Sequence, residues 1–154
     1  MLKRIRNILK RASSEQTPRL TVESSALVFD NGSRNFKAGH AGYDNPCAVF
    51  ATALGKPQFP RTMQNVAGLG RVPDTFVGEK AQKMRGILAL RYPIENGIIN
   101  NWDDMETIWN HAYEQLPAHS GEWPLLMTEV NHNPAEKHQK MVEIMFEKFK
   151  VPAF

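Results

Sequence analysis

Asp30 ends the apolar run Leu27-Val28-Phe29, and Asn31-Gly32-Ser33 interrupt that run at once. Asn-Gly tolerates the positive φ angles of a type I′ turn, so this spacing predicts a strand, a tight hairpin turn and a returning strand. Lys37 falls on the return, where it points back along the hairpin. A carboxylate at a strand end, a Gly/Ser turn with exposed backbone N–H groups and a nearby ammonium could hold a phosphate and its hydrated Mg²⁺. An ordinary surface hairpin carries the same residue types, and these positions alone leave both readings open.

The elements that must position them can be sketched from patterning. Ala26–Asp30, Asn35–Gly39 and Ala48–Leu54 read as a three-stranded meander joined by Gly, Asn and Pro turns. Residues 57–73 hold Gly68, Gly70 and three prolines with few apolar anchors, which predicts a mobile loop. Phe76–Val77 is a short strand candidate, followed by a short helix over Glu79–Met84. A longer helix starts at Asn101, a candidate cap, with Asp103, Asp104 and Glu106 favouring its positive end. Its apolar stripe is Trp102, Met105, Trp109, Ala112 and Leu116, and Pro117 follows its end. Leu125–Thr128 reads as a buried strand. Asn133-Pro134-Ala135-Glu136 reads as a cap with proline at the first helical position, opening a helix that turns Met141, Ile144, Met145 and Phe149 inward. Strands first, then alternating helix and strand, predict an α/β fold with helices packed on a mixed sheet.

At 154 residues the chain suits one ordinary domain. The single cysteine, Cys47, excludes an internal disulfide, and no apolar run is long enough to span a membrane. The formal charge of +3 is unevenly spread: residues 1–19 carry six basic residues and one acid, net +5, which leaves −2 for the remainder. The body therefore offers no case for nucleic-acid binding. In the basic segment, Leu2, Ile5, Leu9 and Ala12 fall at helical spacing among Lys3, Arg4, Arg6, Lys10 and Arg11. A solvated, poorly ordered extension over 1–23, a mitochondrial transit peptide and a basic helix lying on an anionic membrane all suit that composition. Asp103-Asp104 reads as helix-end capping, and His111, His119, His132 and His138 lack zinc-site spacing. No Ser/His/Asp or Cys/His arrangement points to nucleophilic catalysis.

An ordered series of short matches adds to this. Asp30-Asn31-Gly32-Ser33, Lys37-Ala38-Gly39 and Ala48-Val49-Phe50 resemble the opening of actin and the actin-like proteins. The resemblance continues through Arg85-Gly86-Ile87-Leu88, Tyr92-Pro93-Ile94-Glu95, Gly97-Ile98-Ile99 and Asn101-Trp102-Asp103-Asp104-Met105-Glu106. It closes with Thr128-Glu129, Asn133-Pro134, Met145-Phe146-Glu147 and Val151-Pro152-Ala153-Phe154, running nearly in register from about residue 24 to 154. It implies the actin-like, ribonuclease H-like ATPase fold, of which residues 24–154 would form the first half, and a partial Mg-ATP site. On that resemblance Asp30 would hold a water on Mg²⁺. Asn31 belongs to the phosphate turn, and backbone groups of Gly32, Ser33, Arg34 and Asn35, with the Ser33 hydroxyl, would meet the β- and γ-phosphates. Lys37 would neutralise them. Turnover by half a clamp is not expected, because phosphoryl transfer needs an enclosing site and a positioned water.

Three positions depart from the family pattern. Arg34 replaces the last glycine of Asn-Gly-Ser-Gly, at a cost of about 1 kcal/mol or more if positive φ is required there; its guanidinium could instead pair with phosphate. Asn35 stands where the family usually has an apolar residue. Asn96 stands where conventional actins commonly carry a modified histidine, removing one brake near phosphate release. The resemblance thus implies a truncated, divergent actin-like protein of cytoplasm and cytoskeleton, with actin-family subunits and actin-binding proteins as partners. The alternative is a non-catalytic interaction module that binds actin or its partners through the 57–73 loop without nucleotide. A third outcome is a chain whose unpaired sheet edge prevents a stable product.

Overall fold

The computed structural model describes residues 26–58 and 73–154. The basic segment over 1–23, and residues 59–72 of the loop expected at 57–73, lie outside the described residues.

Three strands form the expected meander: β1 (Leu27–Asn31), β2 (Asn35–His40) and β3 (Ala48–Ala51). A fourth, β9 (Leu125–Met127), joins β1 in parallel, which gives a mixed sheet ordered β3-β2-β1-β9. Alternation decides the faces. Leu27 and Phe29, Phe36 and Ala38, Ala48 and Phe50, and Leu125 turn to one side and are buried there. Against that side pack two amphipathic helices, α2 (Trp102–Gln115) and α3 (Ala135–Glu147), preceded in the chain by the short α1 (Glu79–Lys83). Helix α2 contributes Met105, Ile108, Trp109, Ala112 and Tyr113 to the core, and α3 contributes Met141, Ile144 and Met145. Phe36 stacks on Phe50 at 5.3 Å and meets Phe29 edge-on at 5.3 Å, while Tyr113 stacks on Phe149 at 5.6 Å. Each such side chain stabilises the fold by about 1.5–3 kcal/mol through burial. Burial pushes the Tyr113 phenol up to about 12.

Four local expectations are corrected. Ala48–Leu54 is not one strand: β3 ends at Ala51, and β4 (Leu54–Pro57) joins a second sheet with β5 (Phe76–Val77) and β6 (Leu88–Arg91), ordered β5-β4-β6. The break falls at fully buried Thr52, whose hydroxyl donates to the Gly32 carbonyl at 2.7 Å and whose N–H donates to the Arg34 carbonyl at 2.9 Å. These bonds hold the strand end against the β1–β2 turn while the chain bends away.

The type I′ turn is also elsewhere. Neither Asn31 nor Gly32 has positive φ; the paired left-handed residues are Asn96 (φ 51°) and Gly97 (φ 82°). They join β7 (Ile94–Glu95) to β8 (Ile98–Ile99), with Glu95 opposite Ile98, which is the signature of a two-residue I′ hairpin. Asn133 does not cap α3. Its Nδ2 turns back to the Glu129 carboxylate at 3.1 Å, and Pro134 takes the cap position, its carbonyl accepting from the His138 N–H at 3.1 Å. Asn101 does cap α2, accepting from the Asp104 N–H at 3.0 Å. Asp104 does more than match the helix dipole: its buried carboxylate forms an ion pair with Arg91 of β6 and ties the second sheet to α2.

Candidate functional site

The site is built where β1 and β9 end side by side. Three apolar residues in each strand run in register, Leu27 with Leu125, Val28 with Leu126 and Phe29 with Met127. The next residue in each chain is polar, Asp30 in one and Thr128 in the other. The Thr128 N–H donates to the Phe29 carbonyl at 2.9 Å and brings its hydroxyl to Asp30 Oδ1 at 2.8 Å; the same hydroxyl oxygen accepts from the Asn31 N–H at 3.1 Å. From the other side Lys37, paired with Asp30 in the antiparallel register, donates from Nζ to Asp30 Oδ2 at 2.8 Å. Both carboxylate oxygens are therefore held, and Asp30 is 8 % exposed. Hydrogen bonds and the ion pair offset the cost of taking a carboxylate that far from water.

The turn beyond Asp30 is shaped by backbone proximity. A Cβ on Gly32 would lie 2.3 Å from the Asn35 carbonyl oxygen, closer than real Cβ contacts come. Glycine is required there by space and not by φ. The Gly32 N–H folds back on the Asp30 carbonyl at 2.9 Å, while among the described residues the N–H groups of Ser33 and Arg34 have no partner. Ser33 Oγ accepts from the Gly97 N–H at 2.9 Å, which docks the I′ hairpin against the turn. Arg34 has an ordinary backbone, so the strain expected from losing glycine there does not arise; its side chain is exposed and makes no ion pair among the described residues. Asn35 is exposed at the first position of β2, so a polar residue carries no burial cost.

Asn31 faces the other way. Its Oδ1 accepts from Trp109 Nε1 at 3.1 Å and its Nδ2 approaches Met141 Sδ at 3.9 Å. It anchors the turn to both core helices rather than presenting its amide to solvent. The structure thus places Asp30, Ser33, Arg34 and Lys37 along one hairpin turn, with Asp30 and Lys37 paired and Asn31 and Gly32 fixing the turn's backbone.

The partners that sequence reasoning missed are Thr128, Gly97, Thr52 and Trp109. Thr128 had a readable signal: a polar residue closing an apolar run, as Asp30 closes its own. The other three had none, because nothing local says that Thr52 or Gly97 returns to this turn. Next to Thr128, Glu129 accepts from Asn133 and from His138 Nδ1, the latter at 3.1 Å. Burial alone would raise its pKa, but these two bonds and the His138 charge outweigh that and lower it. A separate groove of about 430 Å³, lined by Val77, Lys80, Thr107 and His111 among others, includes none of the seven turn residues.

Two N–H groups without a partner among the described residues, a hydroxyl, an ammonium and a carboxylate thus lie on one turn, and these are the types of group that phosphate and hydrated-cation binding draws on. With both its oxygens already accepting hydrogen bonds, Asp30 suits a metal held through water better than one bound directly. A family comparison agrees with the series of matches. Residues 21–154 match the family Actin, and the chain belongs to the actin family.

Proposed function

We propose that this chain is a divergent, actin-like component of the cytoskeleton whose β1–β2 turn holds the phosphates of Mg-ATP. Residues 24–154 form the actin-like region and 1–23 an extension to it. The observation that carries the reading is the Asp30–Lys37 pair beside the unpartnered N–H groups of Ser33 and Arg34. In this role Ser33 and Arg34 cradle phosphate oxygens, Lys37 neutralises them, and Asp30 orients a water on Mg²⁺. When bound, the metal supplies charge neutralisation. The chain acts as a nucleotide-holding and interaction element of cytoplasmic filaments, with actin-family subunits as partners, and needs no turnover for that role.

The test is thermal unfolding with and without millimolar Mg-ATP. Ligand at about 100 times its dissociation constant stabilises by about 2.7 kcal/mol, a readable shift. Lys37→Ala also loses the Asp30 partner, so each protein is compared with itself. The nucleotide-induced shift should vanish in Lys37→Ala; an undiminished shift refutes the assignment.

One observation favours the alternative, a module that binds actin or its partners without nucleotide: both Asp30 oxygens are satisfied within the chain, so the site is complete without a cation. Co-sedimentation with filamentous actin separates the two readings. ATP-dependent pelleting supports the nucleotide-holding form, and ATP-independent pelleting supports the module.

A further inference from the structure

Formal charge is divided unevenly between the two sheets. The segments that build the second sheet and α1, residues 54–58 and 73–91, carry five basic residues and two acids, net +3. The other described residues carry six basic residues and twelve acids, net −6. Pairing follows the same division. In the larger part Lys37, Lys140, Lys148 and Lys150 meet carboxylates and Lys137 donates to the Ile99 carbonyl, with Arg34 the exception. In the second-sheet lobe Arg91 is paired with Asp104. Lys56, Lys80, Lys83 and Arg85 are exposed there and make no ion pair or side-chain hydrogen bond among the described residues. Residues 59–72 contain no acid, so the connecting sequence brings no carboxylate to them. Unpaired charge of one sign on one lobe gives a positive potential that attracts acidic partners.

Lys80 leads into the groove of about 430 Å³ between β5 and α2. Half-buried Phe76 and Val77 give the groove an apolar wall, and α2 contributes Thr107 and His111. β5 is the edge strand of its sheet, the position at which extended peptides are received. Lys83 stands one helical turn after Lys80, and Arg85 follows on the turn that ends α1. The acid that lines the groove, Glu114, lies 3.5 Å from His111 Nδ1, and Glu79 accepts from the Ala51 N–H at 3.2 Å; neither is paired with Lys80. A partner that satisfies this surface supplies carboxylates to Lys80, Lys83 and Arg85 and an apolar side chain to Phe76 and Val77. We propose that the β5–α2 groove and the cations of α1 form a docking site for an acidic, extended peptide segment of a partner protein. A polyphosphate backbone would meet the charge alone and leave the apolar wall unused. The site shares no residue with the Asp30 turn and needs no nucleotide.

The experiment uses the full chain and a fluorescein-labelled peptide of alternating Glu and Leu, read by fluorescence anisotropy at low and high salt. Peptides with Gln in place of Glu, or Ser in place of Leu, are the controls. The Glu-Leu peptide should bind, and less tightly at high salt; the Gln form should be about tenfold weaker and the Ser form a few-fold weaker. Reversing two exposed cations, Lys80→Glu/Lys83→Glu, should weaken binding by about tenfold. Lys140→Glu/Lys150→Glu changes the formal charge equally in the acidic part and should leave affinity within about twofold. All four side chains are exposed, so both variants should keep the fold, which circular dichroism would verify. No binding, equal binding of the Gln peptide, or equal losses in the two variants overturns the proposal. Tighter binding of a single-stranded oligonucleotide of the same charge overturns it in favour of nucleic acid. Displacement of the peptide by salt-sensitive self-association overturns it in favour of a contact between copies.

Discussion

Replacing Gly32 by alanine isolates the geometry of the Asp30 turn, because the added methyl carbon would lie 2.3 Å from the Asn35 carbonyl oxygen. Ordinary contact begins near 3.4 Å, so the overlap is about 1 Å, against backbone and not against a flexible side chain. Relaxation is blocked from both sides: Thr52 holds the Gly32 and Arg34 carbonyls, and Thr128 holds the Asn31 N–H. Overpacking of this kind costs about 3 kcal/mol, which in a chain of this size lowers Tm by about 6–12 °C. Two other glycines serve as controls. At Gly42 (φ +90°) a Cβ meets nothing within 4 Å, so Ala should cost only the left-handed backbone penalty of about 1–2 kcal/mol. At Gly86 neither crowding nor positive φ applies, and Ala should stabilise by about 0.4–1 kcal/mol through the unfolded state. Urea unfolding of the three variants should rank them Gly32→Ala, Gly42→Ala, Gly86→Ala from worst to best. If Gly32→Ala comes within about 1 kcal/mol of Gly86→Ala, the reasoning about the turn is wrong.

Other expectations follow from single contacts. Asn31→Ala leaves the Trp109 indole N–H without its acceptor and should destabilise by about 1–3 kcal/mol in chemical denaturation. Asn96→Ala should cost about 1 kcal/mol and Asn96→Gly almost nothing, because what the I′ hairpin asks of this position is positive φ; equal losses would refute that. Tyr113 should give the fold an alkaline limb: the phenol titrates near 10 when unfolded and about 12 when folded, so stability is full below pH 10 and falls as pH rises towards 12. Tyr113→Phe should flatten that limb, measured as urea midpoints from pH 9 to 12. It should be neutral or mildly stabilising at pH 7, because the hydroxyl has no partner among the described residues.

What was legible in the sequence was whatever rests on short-range pattern. Short apolar runs found β1 and β9, apolar-polar alternation found β2, and the helical period found α2 with its Asn101 cap. The Asp30–Lys37 pair was readable because it lies within one hairpin. Illegible were the choices made by distant partners. Asn-Gly occurs at 31–32 and at 96–97, and the local signal is the same at both. At the first, Trp109 claims the asparagine amide and Thr52 and Thr128 hold the backbone out of the I′ geometry; at the second, the Gly97 N–H bond to Ser33 is made with both turn residues left-handed. Asn133 was misread for the same reason, since a cap signal is silent about a carboxylate four residues upstream that takes the amide instead. The strands β6, β7 and β8 went unseen because their short segments, Leu88–Arg91, Ile94–Glu95 and Ile98–Ile99, carry little periodicity.

The parallel pairing of β1 with β9 has a consequence in time. Asp30 and Thr128 stand 98 residues apart, so the two halves of the carboxylate's hydrogen bonding are synthesised separately. At about 5–20 residues per second, roughly 5–20 s pass between them on the ribosome. Through that interval the β1–β2 hairpin has a bare edge and an aspartate paired only with Lys37. Closing so long a loop also places the contact late in folding. Any ligand that needs this corner intact therefore distinguishes a finished fold from a nascent one, and a chaperone that shields the β1 edge would act during those seconds.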